Sequence, residues 1–232
     1  MSRPSSTEAP ARATFRPAET LGSWPDLQIE KLELISRGDL VSGLRIRGRR
    51  PPANAPRPAL LVLLHDATRE ASSPDFQPVA TWLSRGDAVV VVALDLPLHG
   101  PRSSAKLSER LVTAFAALAR GAFVDRNGSV LVEEFLRQST HDLARTLDAL
   151  LAPGELDPER IALIGLGLGA RVADAFLAED DRVQAAVLVR TPRAPAALPS
   201  ADSKLRLELE GRADEADWAM SAGRFLRSRI GL

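Results

Sequence analysis

The chain has 232 residues, 45% of them hydrophobic, and its 30 basic residues balance 30 acidic ones. This length supports one sizeable core, and a balanced charge without a basic run gives no reason to expect nucleic acid as a partner. The absence of cysteine excludes disulfides, a thiolate nucleophile and zinc–sulfur sites. The longest apolar run, Ala88 to Leu94, is far too short to cross a bilayer, so we expect no membrane association.

The first 25 residues contain four prolines among Ser, Thr, Ala and Arg. They include no apolar stretch of the length that a signal peptide needs. We therefore predict a disordered tail over residues 1–25, a single domain over residues 26–232, and a cytoplasmic location.

The first half of the remaining chain is typical of β-structure. Alternating hydrophobicity in Leu27–Ile35 and Leu40–Arg47, with a polar turn between, predicts a half-buried β-hairpin. The wholly apolar segments Ala59–Leu64 and Ala88–Leu94 predict strands buried on both faces. Helical spacing from Phe76 to Leu83 predicts a helix between them.

The second half alternates helices with strands. Helical patterns cover Ala105–Arg120 and Val130–Leu151, with a turn predicted at residues 124–128. Short apolar strands at residues 161–164 and 183–189 follow, and residues 205–210 alternate strictly, as at a sheet edge. A last helix is predicted over residues 213–230. The order of elements predicts an α/β fold with a mostly parallel sheet and helices on both faces.

The segment that carries most functional information is a glycine-rich turn between a predicted strand and helix. Gly165, Gly167 and Gly169 match the G-x-S-x-G elbow of hydrolases, with glycine in place of the nucleophile. Gly165, Gly167 and Ala170 also match the dinucleotide-binding pattern G-x-G-x-x-G/A. The turn alone leaves both interpretations open.

Two further motifs favour the first interpretation. One predicted strand ends in His65, and the segment Asp95–Gly100 has the form of D-x-P-G-H-G. With the elbow, these motifs occur in the order typical of α/β-hydrolases, and residues 27–189 resemble the dienelactone hydrolase and acetyl xylan esterase group. The resemblance implies an α/β-hydrolase sheet, here with a shortened C-terminal edge because only one strand candidate follows Val189.

The same resemblance indicates that the catalytic triad is missing. Gly167 has no side chain to attack a carbonyl, and His65, His99 and His141 all precede it, whereas the family histidine follows the nucleophile. Asp66 stands where the family has a glycine beside the second oxyanion donor, and its carboxylate would oppose a developing negative charge if it pointed inward. We therefore predict a pseudoenzyme, without cofactor or metal, that binds a small ligand or a protein partner.

The candidate site residues lie in the glycine turn or at the carboxyl ends of neighbouring strands, where open α/β sheets bind ligands. They are His65, Asp66, Asp95, His99, Gly167, Leu168 and Gly169.

An alternative hypothesis is a weak or unconventional hydrolase, esterase or lyase that uses His65, Asp66 or His99 for acid–base chemistry. A dinucleotide-binding protein is the third hypothesis, which the position of the turn late in the chain disfavours. His141 and Asp142 are interpreted as a solvated pair, and exposed Leu or Phe within residues 105–151 would indicate a partner surface.

Overall fold

The structure is a computed structural model that describes residues 12–18, 27–48, 56–76, 80, 88–190, 206–210 and 217–231. Its strands are β1 (Thr14–Pro17), β2 (Leu27–Ser36), β3 (Asp39–Gly48), β4 (Ala59–Leu64), β5 (Val89–Leu94), β6 (Ile161–Leu166), β7 (Ala185–Arg190) and β8 (Arg206–Glu210). They form one sheet in the order β1-β2-β3-β5-β4-β6-β7-β8. Its helices are α1 (Ala105–Ala119), α2 (Arg126–Leu151), α3 (Leu168–Leu177) and α4 (Asp217–Ile230).

The sheet has an antiparallel part and a parallel part. Strands β2 and β3 form the predicted hairpin, which turns at Arg37 and Gly38, both with positive φ. Strand β3 pairs antiparallel with β5, and the five strands β5, β4, β6, β7 and β8 are parallel to one another. Every residue of β4, β5 and β6 is buried, as their unbroken apolar sequences predict.

Apolar side chains cover both faces of the sheet. On one face, residues of α1, α2 and α3 pack against β4, β5 and β6 around Leu143, Leu147 and Phe176. On the other face, α4 packs through Trp218 and Leu226. The predicted α/β fold with a mostly parallel sheet, an N-terminal hairpin and helices on both faces is confirmed, and β8 lies at the predicted edge. No helix in the described ranges is long and apolar enough to cross a membrane.

The prediction of a disordered tail over residues 1–25 is wrong for Thr14–Pro17. These residues form β1, which pairs antiparallel with residues 30–33 of β2. Phe15 is partly buried against the core and lies under the guanidinium of Arg45. Backbone pairing and this aromatic contact fix the segment despite its polar, proline-containing surroundings. Residues 1–11 and 19–26 lie outside the described residues.

The predicted turn at residues 124–128 is also wrong in part, because α2 already begins at Arg126. The Asp125 carboxylate accepts a hydrogen bond from the Gly128 amide at 2.7 Å, and this N-cap outweighs the turn preference of Asn127 and Gly128. The helix predicted over residues 76–83 lies mostly outside the described residues, as does the predicted beginning of the last helix at residue 213.

Candidate functional site

The elbow joins β6 to α3 through Gly167, whose φ is 51° and ψ is −104°. Residues with a side chain rarely adopt a positive φ of this kind, so a non-glycine residue is strained here. Its neighbours Gly165 and Gly169 are required for space: a Cβ on Gly165 would overlap backbone atoms of Ala170, and one on Gly169 would overlap the Leu64 carbonyl. The glycines therefore let α3 begin directly against the ends of β4 and β6.

The carboxylate of Asp66 points into the elbow. Its Oδ1 atom accepts hydrogen bonds from the amide of Ala67 at 2.7 Å and from the amide of Leu168 at 2.9 Å. A Cβ on Gly167 would overlap Oδ1 and Cγ of this carboxylate. Asp66 thus fills the space into which an elbow side chain projects.

The two amides bonded by Asp66 are those that the elbow offers to an oxyanion. In this kind of site one donor is the amide after the nucleophile, and the other comes from the loop after the strand that corresponds to β4. Here those positions are Leu168 and Ala67, and the Asp66 carboxylate is bonded to both. The two amides can therefore bind an anion, and the anion bound to them here is the carboxylate of Asp66.

His65 is buried and uses both ring nitrogens in contacts with the backbone. The Leu96 amide donates to Nε2 at 3.0 Å, so Nε2 is unprotonated, and Nδ1 carries the proton and donates to the Asp66 carbonyl at 2.8 Å. Burial lowers the pKa of His65 to about 3, although the hydrogen bond to Asp66 raises it somewhat. His65 is therefore neutral and has no lone pair free for a substrate proton.

His99 is also buried, with its ring centroid 4.9 Å from that of His65. Its Nδ1 lies 2.9 Å from the Pro97 carbonyl oxygen and its Nε2 lies 2.7 Å from that of Ala67. The preceding residue, Leu98, has a φ of 63°, at the position where the D-x-P-G-H-G pattern has glycine. His99 therefore holds the loop after β5 against the loop after β4.

Asp95 lies beside these loops, but its carboxylate is bonded to groups outside the elbow. It is buried and accepts from the Ser42 hydroxyl at 2.7 Å and from the Ala71 amide at 2.8 Å. Ser42 is a site neighbour that the sequence did not indicate, because it lies on β3, 53 residues before its partner. Asp95 thus joins β3 to the loop after β4.

The interpretation of Asp142 as part of a solvated pair is wrong. Asp142 is buried and forms an ion pair with Arg102 at 2.8 Å. Arg102 also donates to the Asp95 carbonyl at 3.3 Å. Arg102 ends the 3₁₀ turn Gly100–Arg102, which follows directly on His99. The ion pair therefore anchors the segment Asp95–Gly100 to the middle of α2.

The structure therefore gathers most of the predicted site residues at one edge of the sheet. Asp66, Gly167 and Leu168 are in direct contact, Gly169 donates to the His65 carbonyl at 3.0 Å, and His99 lies beside His65. The Asp95 carboxylate belongs to a separate network. Within the described ranges, no group of three or more His, Asp or Glu side chains is arranged to hold a metal ion.

Comparison with known proteins gives no match at the level of family models and none among curated proteins. The fold, by contrast, matches solved structures. A cold-adapted esterase from an Arctic intertidal metagenomic library aligns with a TM-score of 0.61 and 20% identity, over 90% of this chain and 97% of the esterase.

Two acetyl xylan esterases also align. The enzyme from Paenibacillus sp. R4 has a TM-score of 0.55 and 17% identity over 78% of this chain and 54% of its own. Acetyl xylan esterase 1 from Thermoanaerobacterium sp. JW/SL YS485 has a TM-score of 0.53 and 14% identity over 76% of this chain and 51% of its own. This chain thus spans about half the length of these two enzymes. The sheet order, the elbow and these alignments agree: the protein has the α/β-hydrolase fold.

Proposed function

We propose that this protein is a catalytically inactive α/β-hydrolase-fold protein, a pseudoenzyme that binds a small ligand or a protein partner. The observation that carries the proposal is the position of the Asp66 carboxylate. It lies against Gly167, where a nucleophile would project, and accepts from the Ala67 and Leu168 amides. The Asp66 side chain therefore occupies both the space of a nucleophilic side chain and the two amide donors of an oxyanion site.

The expected loss of activity is large. In a well-studied serine protease of another fold, removing the nucleophile or the histidine lowers kcat by on the order of 10⁶. Removing one oxyanion donor lowers it by roughly 10²–10³. An acyl transition state at this elbow would meet a carboxylate instead of two free amide donors, so even the residual activity of a triad-less hydrolase is not expected.

The alternative of a weak hydrolase or lyase that uses His65, Asp66 or His99 has less support. Both nitrogens of His65 and both nitrogens of His99 face backbone groups. Asp66 Oδ1 already accepts two amide hydrogens. A general base must reach a substrate proton within hydrogen-bond distance, and each candidate would first have to break a contact that holds the loops together.

The dinucleotide hypothesis also has less support. A pyrophosphate in that kind of site lies at the helix N-terminus beyond the glycine turn. Here the Asp66 carboxylate lies at the N-terminus of α3, bonded to Leu168. Like charges repel, so the site would have to expel its own carboxylate before it accepted a phosphate.

A protein partner is supported by three exposed apolar side chains within residues 105–151. Leu107 is 41% exposed, Phe123 is 90% exposed and Val130 is 52% exposed. Exposed Leu or Phe in this region is the feature that the sequence analysis associates with a partner surface.

The proposal is tested by a panel of short-chain esters together with a serine-reactive fluorophosphonate probe. We expect no turnover above the uncatalysed rate and no labelled protein, with an intact α/β-hydrolase-fold esterase as the positive control. Ester turnover by the purified wild-type protein, abolished by Asp66→Ala or His99→Ala, would support the acid–base alternative instead.

A further inference from the structure

A cavity lies at the edge of the sheet opposite the elbow, where the parallel strands begin. It has a volume of about 570 Å³ and lies between Pro58 and Val89, at the starts of β4 and β5, and Leu150, at the end of α2. A six-residue strand spans about 20 Å, so this cavity is separate from the elbow, which lies at the far end of the same strands. We call it the amino-edge cavity. Its volume falls within the range typical of small-molecule sites.

One wall of the amino-edge cavity is polar, although the neighbouring surface of the sheet is apolar. Arg45 and Arg47 of β3 line the cavity, next to Gln28 of β2. On the same face of β2, Leu32 and Leu34 belong to the core. The polar residues thus interrupt an apolar sheet face at the point where a cavity opens, and core packing alone does not require them there.

The two arginines share one buried carboxylate. Glu30 accepts from Arg45 through Nε at 2.8 Å and Nη2 at 2.6 Å. Arg47 Nε lies 3.6 Å from the same carboxylate oxygen, too far for a hydrogen bond, and this buried atom has no hydrogen-bond partner among the described residues. The cluster of Glu30, Arg45 and Arg47 therefore has an excess of one positive charge and at least one unused donor.

Arg45 is held between the Glu30 carboxylate and the Phe15 ring. Its guanidinium carbon lies 3.4 Å from the centroid of the Phe15 ring, and its side chain is 13% exposed. Burial lowers the pKa of Arg45, and the hydrogen bond to Glu30 opposes this effect. An arginine remains charged in proteins, so Arg45 presents positive charge in a largely buried place, and Arg47 presents it from a side chain that is 38% exposed.

The rest of the cavity is mainly aliphatic. Val89, Val90, Leu150 and Leu156 line it together with the arginines. Among the described residues that line the cavity, Glu155 is the one acidic residue, and it is exposed. The cavity therefore combines a cluster with one excess positive charge, an exposed carboxylate and an apolar lining.

We propose that the amino-edge cavity binds a small monocarboxylate with an apolar body, of the kind represented by a medium-chain fatty acid anion. The carboxylate lies against Arg47 and the apolar body against Val90, Leu150 and Leu156. A guanidinium and a carboxylate match in geometry, and a single excess charge suits a monoanion better than a doubly charged phosphate. This site does not depend on the elbow or on the absence of catalysis.

The test uses octanoate as the probe, with 1-octanol and octylammonium as matched neutral and cationic compounds. Isothermal titration calorimetry on the full chain is expected to show saturable octanoate binding at least tenfold tighter than that of either analogue. In ¹⁵N-edited NMR spectra, octanoate should perturb the amides of Val90 and Leu156 and leave those of Ala67 and Leu168 in place. Absence of binding, equal affinity for 1-octanol, or perturbation at the elbow alone would overturn the proposal.

Variants of the two charged residues sharpen this test. Arg47→Gln should weaken octanoate binding at least tenfold while leaving 1-octanol binding unchanged, because it removes the free positive charge and keeps a polar side chain. Glu155→Gln should tighten octanoate binding, because it removes the exposed negative charge. Arg224→Gln, on the exposed surface of α4, is the control and should change nothing. If Arg47→Gln and Arg224→Gln bind octanoate equally well, the arginine wall has no role and the proposal is wrong.

Discussion

At the apex of the elbow, Gly167 has a backbone conformation that costs a non-glycine residue on the order of 1–3 kcal/mol. An active hydrolase accepts that cost because the strained residue is the nucleophile. Here the residue has no side chain, and the Asp66 carboxylate lies in the space that is left. The sequence predicted the missing side chain and the unusual aspartate, but it did not predict where that aspartate points. Its orientation depends on the Leu168 amide, which is 102 residues away along the chain.

The first prediction concerns restoration of the nucleophile. Gly167→Ser should lower the free energy of unfolding by more than 1 kcal/mol, from backbone strain of about 1–3 kcal/mol together with overlap with Asp66. Combining it with Asp66→Gly should recover the part due to overlap, so the two changes are not additive. Urea denaturation measures the free energy of unfolding of Gly167→Ser, of Asp66→Gly and of the double variant.

Gly121→Ser is the matched control for this prediction. Gly121 also has a positive φ, of 67°, but a Cβ there would meet no atom within 4 Å. Its substitution should therefore show strain without overlap and cost less than Gly167→Ser. The Gly167→Ser variant should have no ester turnover, since the resemblance assigns no histidine to the base position. Turnover with probe labelling of Ser at position 167 would refute the pseudoenzyme proposal.

At the scale of elements, the site is a junction of three loops. His65 joins the end of β4 to Leu96 after β5, His99 joins the loop after β5 to Ala67, and Arg102 joins the same segment to α2. The sequence places His65 and His99 at the ends of strands, which suggested acid–base roles. The structure gives both ring nitrogens of His65 backbone hydrogen-bond partners. It places both ring nitrogens of His99 against carbonyl oxygens, and a neutral ring can donate to only one of them. Sequence patterns indicate at which end of a strand a histidine lies, but they do not indicate whether its ring nitrogens are free to bind a substrate.

This junction predicts a specific dependence of stability on pH. The pKa of His65 is about 3 in the folded protein, against about 6.5 in an unfolded chain. Between these values the unfolded chain binds a proton that the folded protein cannot, so stability falls as pH decreases from about 6.5. The slope contributed by His65 is up to about 1.4 kcal/mol per pH unit.

His65→Gln is the variant that tests this dependence. It retains an acceptor for the Leu96 amide and removes the titrating ring. The free energy of unfolding, measured in urea between pH 4 and pH 6.5, should depend less steeply on pH in the variant than in the wild type. Equal slopes would show that His65 is not held in the neutral form.

At the scale of the whole molecule, one sheet separates two regions of different chemistry. The edge where the parallel strands end carries the elbow, with an internal carboxylate on its amide donors. The edge where they begin carries the amino-edge cavity, with two arginines that share Glu30. The fold itself was predictable, because wholly apolar strands alternating with helices specify a parallel sheet. The cavity was not, since it depends on β1 and on cross-strand partners that the hydrophobic pattern does not identify.

The central claim is that the Asp66 carboxylate occupies both amide donors of the elbow, and NMR tests it most directly. The measurement is the amide proton chemical shift of Ala67 and of Leu168 at neutral pH, in the wild type and in Asp66→Ala. Amide protons bonded to a carboxylate resonate downfield, so both signals should move upfield together in the variant. If the Ala67 signal moves but that of Leu168 keeps its position, the carboxylate does not reach the elbow and the account is contradicted.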